Sequence, residues 1–243
     1  MGQAIAALVD AADDLALAGV WSRDPGRQGF PQASTLTSDI DQLAGRADVL
    51  IDFSLPAGSM MAAAAASRAG TPLVCGVSGL DEAQLDSLRR AAERIPVVYD
   101  RNMSQGIAVL TAVVQQVSRS LGNDFDVTID ETHHVHKIDA PSGTALKLGE
   151  AVAKARGESL HDVMWYDAEG EPPAGAVRFR VERRGQVPGD HSVHYDSGDE
   201  SLTVSHSVAT RDVFAAGAVR AARWIKGREA GVYSMADVLD LST

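Results

Sequence analysis

The sequence predicts an α/β domain built on a mostly parallel sheet, followed by an α+β domain. In the first hundred residues, short apolar segments alternate with helical segments, which is the pattern of βαβ units and parallel strands. From 177 to 208 the pattern changes to β-like alternation punctuated by Gly185, Gly189 and Gly198, which is typical of hairpins. The sequence contains no internal repeat and no low-complexity linker.

The elements of the first half follow from the spacing of their apolar residues. Ile5, Leu8, Val9 and Ala12 recur at helical intervals, whereas 47–53 is a mostly apolar run typical of a buried strand. On this basis we predict helices at 1–13, 57–68 and 81–94, and strands at 15–21, 47–53, 72–77 and 96–99.

Each predicted strand of the first half ends in small or polar residues. These ends are Ser22 with Arg23, Ser54, 76–79 and 101–104. Ordinary loops remain an alternative, because every βα unit must turn somewhere. Ligands in open parallel sheets bind beyond the carboxyl ends of the strands, however, and four such ends favour a Rossmann-like nucleotide crevice.

The second half begins with a long helix, predicted at 105–121, and a strand at 125–132. A helix at 142–156 and the β-rich segment follow. The chain then returns to a helix at 211–226, whose apolar residues lie on one face. We expect this last helix to pack back on the first domain.

The composition is that of an ordinary globular protein. The chain is 45% hydrophobic and 23% charged, and its net charge of −11 argues against a general nucleic-acid or anionic-membrane surface. Cys75 is the single cysteine, which excludes an internal disulfide and a cysteine metal cluster. The first turn carries no basic segment typical of a signal peptide, and the alanine-rich run 60–69 is too short to span a bilayer. We therefore expect a cytoplasmic protein with neither nucleic acid nor membrane as a partner.

The segment 131–145 carries the clearest chemical signal. It places His133, His134 and His136 within four positions and follows them at once with Lys137. Ser142 is a natural helix N-cap, so the amides of the next two residues, Gly143 and Thr144, are expected to point outwards at a helix N-terminus. Such an end binds anions, a lysine adds a full positive charge, and a histidine supplies a proton near neutral pH. The segment predicts a site that holds a substrate carboxylate and protonates the bond beside it.

Two other interpretations of the histidines are weaker. The three histidines lack an acidic or cysteine ligand at the spacing of zinc enzymes, so we predict no metal site. In a strand, His134 and His136 would share a face and His133 would point the other way. A purely structural role is the default for any one of them alone, but the adjacent Lys137 and helix start favour catalysis for the cluster.

The segment 131–145 closely resembles the signature of the dihydrodipicolinate reductases, enzymes of bacterial lysine and diaminopimelate synthesis. Other stretches resemble landmarks of the same family in the same order, so that the resemblance covers essentially the whole chain. These stretches are 52–54, 76–79, 102–104, 189–191 and 211–214.

The resemblance implies a dinucleotide-binding domain at 1–103 with 212–243, and a substrate-binding and tetramerisation domain at 104–211. It implies that His133 is the proton donor, that Lys137 is its partner in the chemistry, and that His134 contacts substrate. Gly143 and Thr144 resemble the cradle for a carboxylate of the small dicarboxylate substrate. The cofactor, NADH or NADPH, would be bound by Met1, Ser22, Arg23, Phe53, Gly76, Val77, Ser78, Asp100, Arg101, Asn102 and Met103. Members of the family are usually homotetramers.

The cofactor preference depends on the residues after the second strand of the family's sheet. An acidic residue there binds the ribose hydroxyls of NAD, whereas this chain has Ser22 followed by Arg23. An arginine favours the extra phosphate of NADPH. Asp24 is close enough to weaken the argument, so we expect NADPH with dual use possible.

The sequence departs from the family at its start. The family begins with a strand and a glycine-rich turn, and Met1-Gly2 resembles the tail of that turn, so the first strand is missing from the predicted sheet. We expect that translation begins upstream. A truncated form with weak cofactor binding, a non-catalytic nucleotide-binding relative, and a reductase for another amino-acid precursor are the alternatives.

Overall fold

A computed structural model describes residues 1–22, 24, 29–31, 35–166, 172–173 and 175–241. The chain forms two compact units, one made of Met1–Gln105 with Asp212–Thr243 and the other of Gly106–Arg211. We call these unit 1 and unit 2. The α/β fold class predicted from the sequence is confirmed, whereas the binding roles expected of the two domains remain predictions.

Unit 1 contains a four-stranded parallel sheet. Its strands are β3 (Leu50–Asp52), β4 (Leu73–Cys75), β5 (Pro96–Tyr99) and β11 (Gly231–Tyr233), in the order β11-β5-β4-β3. The two middle strands are almost wholly apolar and buried, as expected for a parallel sheet covered on both faces. The sheet brings the carboxyl ends of β3, β4 and β5 to one edge.

The described part of unit 1 contains the helices α1 (Gly2–Asp10), α2 (Ile40–Ala44), α3 (Pro56–Ala69), α4 (Glu82–Ala92), α8 (Asp212–Ile225) and α9 (Met235–Val238). Helix α3 begins with a proline at its first position and ends at Gly70, whose φ of 74° is left-handed. Helix α4 begins with a capping box between Asp81 and Gln84. These start and stop signals explain why both helices lie close to the predicted bounds.

The strand predicted at 15–21 is largely wrong. In the structure it is reduced to β1 (Val20–Trp21), which pairs in parallel with β2 (Leu36–Thr37) in a separate two-stranded sheet. The side chain of Trp21 packs against the apolar core around α3 and β3. The longer strand was predicted from apolar content alone. Among the described residues, no strand pairs with 15–19.

Unit 2 is a five-stranded mixed sheet covered by helices. The helices are α5 (Gln105–Leu121), which starts at the last residue of unit 1, α6 (Gly143–Ala155) and α7 (Leu160–Val163). The strands are β6 (Asp126–His133), β7 (Met164–Tyr166), β8 (Val177–Arg183), β9 (Asp190–Asp196) and β10 (Ser201–His206), in the order β10-β9-β6-β8-β7. The core includes Ile107, Ile129, Leu148, Phe179 and Tyr195.

The strand register in unit 2 brings distant residues together. Strand β6 is central, antiparallel to β9 and parallel to β8. Glu131 lies opposite His191 on one side, and His133 lies opposite Arg183 on the other. Over the part of the chain that the structure describes, no helix has the length and apolar character needed to cross a membrane.

Candidate active site

The site in unit 2 is built around the buried carboxylate of Glu131. Strand β6 alternates, so Val127 and Ile129 enter the core, and Glu131 and His133 continue the same buried face towards the end of the strand. The Glu131 oxygens both accept from the Ser142 amide at 3.1 Å, and Oε1 also accepts from Arg183 Nη1 at 3.1 Å. A buried carboxylate requires such donors, because its desolvation is otherwise very costly.

Two histidine rings lie beside this carboxylate. The Nδ1 atom of His133 is 3.6 Å from Glu131 Oε2, and the Nε2 atom of His191 is 3.8 Å from the same oxygen. The two rings meet edge to face, with centroids 5.1 Å apart. Gly189 faces both rings with a φ of 151°, and a Cβ there would lie 3.0 Å from His133 Nε2. Glycine is therefore required at position 189, because side chains rarely adopt this φ and because a Cβ would crowd the His133 ring.

Burial sets the protonation of the two rings. Desolvation lowers the pKa of His133 to about 4, and the positive charges of Lys137 and Arg183 act in the same direction, against the opposing effect of Glu131. Desolvation also lowers the pKa of His191 to about 3, and repulsion from the neighbouring His133 ring lowers it further. Both rings are neutral near pH 7 in the ligand-free chain. An anion bound nearby would favour the protonated form of His133.

The loop after β6 carries Lys137. The strand ends at His133, so the arrangement expected if the strand continued, with His134 and His136 on one face of it, does not occur. Residues 135–136 form a turn, and the rings of His134 and His136 are 6.2 Å apart. The Nζ atom of Lys137 is 2.8 Å from Asp139 Oδ2.

Helix α6 begins as the sequence predicted. Ser142 is its N-cap, and the Ser142 hydroxyl accepts from the Ala145 amide at 3.2 Å. The same hydroxyl lies 3.3 Å from His191 Nε2. Gly143 and Thr144 form the first turn, so the predicted anion-binding helix start lies directly beside the histidine cluster.

No local sequence signal indicates a role for Glu131, Arg183 or His191. His191 belongs to the segment 189–191 and Glu131 opens the segment 131–145, but nothing in either segment indicates that the two residues meet. Arg183 follows the alternation of β8 and looks like an ordinary strand end. Only the pairing of β6 with β8 and β9 could have revealed the cluster.

Glu131, His133 and His191 also have the composition of a metal site. One donor atom from each lies within 4.8 Å of the others. However, the Glu131 oxygens already accept from the Ser142 amide and from the positively charged Arg183, which would repel a cation held by the same carboxylate. The geometry favours a charge-balanced hydrogen-bonded cluster, and the absence of a resident metal stays a prediction.

The cofactor residues predicted in unit 1 gather at the strand ends. Phe53 follows β3, and its ring lies against Gly76 so closely that a Cβ there would be 2.3 Å from the ring. Ser78 is exposed, and a Cβ at Gly79 would meet open space. The backbone at Gly79 is therefore open to an approaching ligand, whereas the Phe53 ring covers Gly76.

A second loop begins at Asp100, directly after β5. The Asp100 carboxylate accepts from the amides of Asn102, at 3.2 Å, and Met235, at 3.4 Å. The Asn102 side chain in turn accepts from the Ser104 amide at 2.9 Å. Arg101 and Met103 lie within this ordered turn, and Met103 is buried.

The remaining cofactor predictions lie near the start of the chain. Met1 is the N-cap of α1, and the Met1 carbonyl accepts from the Ile5 amide at 3.0 Å. Ser22 follows β1, and the Ser22 hydroxyl accepts from the Asp24 amide at 3.2 Å. Arg23 lies outside the described residues.

Comparison with known proteins gives a consistent result. Residues 1–103 match the family model "Dihydrodipicolinate reductase, N-terminus", and residues 106–239 match "Dihydrodipicolinate reductase, C-terminus". A 4-hydroxy-tetrahydrodipicolinate reductase from Pseudomonas fluorescens is 42% identical over 219 residues, covering 89% of this chain and 80% of the relative. A 4-hydroxy-tetrahydrodipicolinate reductase from Burkholderia thailandensis is 38% identical, and the alignment covers 99% of this chain and 94% of the relative.

Solved structures share the fold. A dipicolinate-bound dihydrodipicolinate reductase from Paenisporosarcina sp. TG-14 superposes with a TM-score of 0.76 at 17% identity, over 96% of this chain and 92% of that one. An amine dehydrogenase from Mycobacterium smegmatis superposes with a TM-score of 0.64 at 10% identity, with the same coverage of 96% and 92%.

Proposed function

The chain belongs to the dihydrodipicolinate reductase family, and on that premise we propose that unit 2 binds a small dicarboxylate and protonates it during reduction. The family's reaction is the pyridine-nucleotide-dependent reduction of the dihydrodipicolinate precursor to tetrahydrodipicolinate, in lysine and diaminopimelate synthesis. A non-catalytic relative is not favoured, because both halves of the chain match the enzyme family.

The observation that carries the proposal is the position of His133 beside the N-terminus of α6. The amides of Gly143 and Thr144 and the ammonium group of Lys137 provide positive charge for a carboxylate. A bound dianion raises the pKa of His133 from its depressed value, so that the ring gains a proton when substrate arrives and releases it to the substrate carbon. His134, half-buried at the start of the loop, is assigned as a substrate contact.

The nicotinamide cofactor supplies a hydride, which with the proton from His133 adds two electrons and two hydrogens across the substrate double bond. We assign its binding to the strand ends of unit 1. The open loop at 76–79, Phe53 and the turn 100–103 support this assignment, as do Met1 and Ser22 at the start of the chain.

We infer a preference for NADPH from Ser22 and Arg23. A guanidinium pairs with the extra phosphate, and no acidic residue directly follows β1 to bind a free ribose hydroxyl. Specificity constants for both cofactors test this. R23A should lower kcat/KM for NADPH by about tenfold and change that for NADH little. A wild-type preference for NADH would refute the assignment.

We also propose that the protein is a cytoplasmic homotetramer assembled through the sheet of unit 2. One face of this sheet packs on the helices, while Asp130 and His194, on the other face, keep about 38% and 37% of their side chains exposed and pair at 3.1 Å. This uncovered face is the surface that sheet-to-sheet association would bury. Sedimentation equilibrium tests the proposal, and a monomer at micromolar concentration would refute it.

A coupled assay tests the activity. Freshly generated dihydrodipicolinate precursor should cause oxidation of NADPH by the wild-type chain, and dipicolinate should inhibit it in competition with substrate. If the chain binds NADPH but does not oxidise it, the assignment of cofactor binding to unit 1 stands and the proposed role of unit 2 is refuted.

A further inference from the structure

Arg183 makes an unusual number of contacts for a residue at a strand end. The guanidinium pairs with Glu131 Oε1 at 3.1 Å and donates to the backbone carbonyls of Lys137, at 3.1 Å, and Glu182, at 2.9 Å. It also donates to the carbonyl of Asp139. One side chain thus joins the buried carboxylate of the site to two backbone carbonyls of the segment 134–141 between β6 and α6, which we call the Lys137 loop.

Among the described residues, few other hydrogen bonds hold the Lys137 loop in place. The Lys137 amide donates to the His134 carbonyl at 3.1 Å, and the Val135 amide donates to the Gly185 carbonyl at 3.2 Å. The Lys137 ammonium pairs with Asp139, which belongs to the same exposed loop and so cannot anchor it. Among the described residues, the two carbonyl contacts of Arg183 are the hydrogen bonds that connect the Lys137 loop to the side chain paired with Glu131.

We propose that Arg183 is a positioning residue, which holds the Lys137 loop against Glu131 and acts on the reaction through Lys137. This inference rests on the proposed function of Lys137. The planar fork of an arginine presents several donors in fixed directions, whereas a lysine offers a point charge. Lysine at 183 could still neutralise Glu131, but it could not also hold both carbonyls.

The experiment compares R183K with R183Q in the full chain. R183K keeps the charge beside Glu131 and should remain folded, while kcat/KM falls by about 10- to 100-fold because the loop is misplaced. Cofactor affinity should be unchanged. The matched control is R184Q, since Arg184 has a 64% exposed side chain that pairs with Glu182 at 3.7 Å. Its kcat/KM should stay within about twofold of wild type.

A double-mutant cycle separates positioning from a general structural effect. If Arg183 acts through Lys137, K137Q should lower kcat/KM strongly in the wild-type chain but by less than about threefold in the R183K background. A structural defect alone would leave the effect of K137Q unchanged and lower the unfolding temperature instead.

The outcomes are distinct. A neutral K137Q refutes the proposed function of Lys137, and the positioning proposal with it. A damaging K137Q combined with a neutral R183K, or with additive effects, refutes the positioning role alone. If R183Q fails to fold, the E131Q/R183Q variant removes both charges and replaces it in the comparison with R183K; the cycle itself uses R183K and does not depend on R183Q.

Discussion

At the scale of single residues, the proposed role of His133 as the proton donor rests on its burial beside Glu131, close to the start of α6. We expect H133Q to lower kcat by about 100-fold or more, because a glutamine amide cannot supply the proton. Cofactor affinity should change little. Steady-state turnover and cofactor titration by fluorescence measure the two effects.

The matched control is H136Q, because His136 is exposed in the turn after β6. Its turnover should remain within about twofold of the wild-type value. Unchanged turnover in H133Q would refute the assignment of His133 as the acid. Equal losses in both variants would indicate that the loop, and not the proton donor, had been disturbed.

Residue types in the motif could be predicted, but their partners could not. Ser142 is a helix N-cap because a small hydroxyl residue after a proline is a local signal. The contacts of Glu131 with Arg183 and His191 join residues that are far apart in sequence. Pairing of β6, β8 and β9 creates them, and a single sequence does not encode strand order in any local pattern.

At the scale of elements, the start of α6 links helix stability to the site. In S142A the Ala145 amide loses its acceptor and His191 loses a polar neighbour. We expect the free energy of unfolding to fall by about 0.5–2 kcal/mol, measured by urea denaturation.

The control for that variant is S159A. Ser159 is the N-cap of α7, but its side chain makes no capping hydrogen bond. The unfolding free energy of S159A should therefore lie within about 0.5 kcal/mol of wild type. Similar losses in S142A and S159A would contradict a specific role for the Ser142 hydroxyl.

A second element-scale prediction concerns α8, which approaches the backbone after β5 very closely. A Cβ at Gly217 would lie 1.7 Å from the Met103 carbonyl oxygen. G217A should therefore displace the helix and lower the free energy of unfolding by about 3 kcal/mol or more. Gly45 is the control, because a Cβ there would only make ordinary contact at 3.5 Å and its φ of −69° suits alanine. If G217A unfolds at the wild-type temperature, the close approach of α8 to the Met103 carbonyl is refuted.

The long helices and the short buried strands β3, β4 and β5 were predicted well, but most other short elements were not. The helices α3, α4, α5, α6 and α8 lie within a few residues of their predicted bounds, because three or more turns show a clear apolar period. No element was predicted at α2, α7, α9, β2, β7 or β11, which have two to five residues each. So few residues contain too few repeats of the helical or strand period to reveal either one, and tertiary packing decides their structure.

At the scale of the whole molecule, acid should destabilise the fold through its buried histidines. The pKa values of His133 and His191 are lowered from 6.5 to about 4 and about 3 in the folded chain. The unfolded chain therefore binds more protons than the folded chain below about pH 6.5. Stability contributed by the neutral rings is present above that pH and is lost as the pH falls towards 4, at up to about 1.4 kcal/mol per pH unit per ring.

Thermal unfolding between about pH 7.5 and 5 measures this loss. In H191N one titrating ring is removed, so the unfolding temperature should fall less steeply with pH than in wild type. The matched control is H161Q, which changes an exposed histidine of α7 and should leave the unfolding temperature close to that of wild type. Parallel pH profiles for wild type and H191N would show that His191 is not buried in its neutral form.

The division of unit 1 between the two ends of the chain has a consequence for synthesis. Strand β5 leaves the ribosome early, but its neighbour β11 is made only after the whole of unit 2. In the meantime one edge of the sheet has unpaired amides and carbonyls, which are templates for pairing with other chains. Purified chains truncated before residue 231 should therefore remain protease-sensitive in 1–105 while unit 2 is resistant. If 1–105 were equally resistant in those chains, the sheet would not need its last strand. For the nascent chain, the vulnerable period is the time taken to translate the second unit.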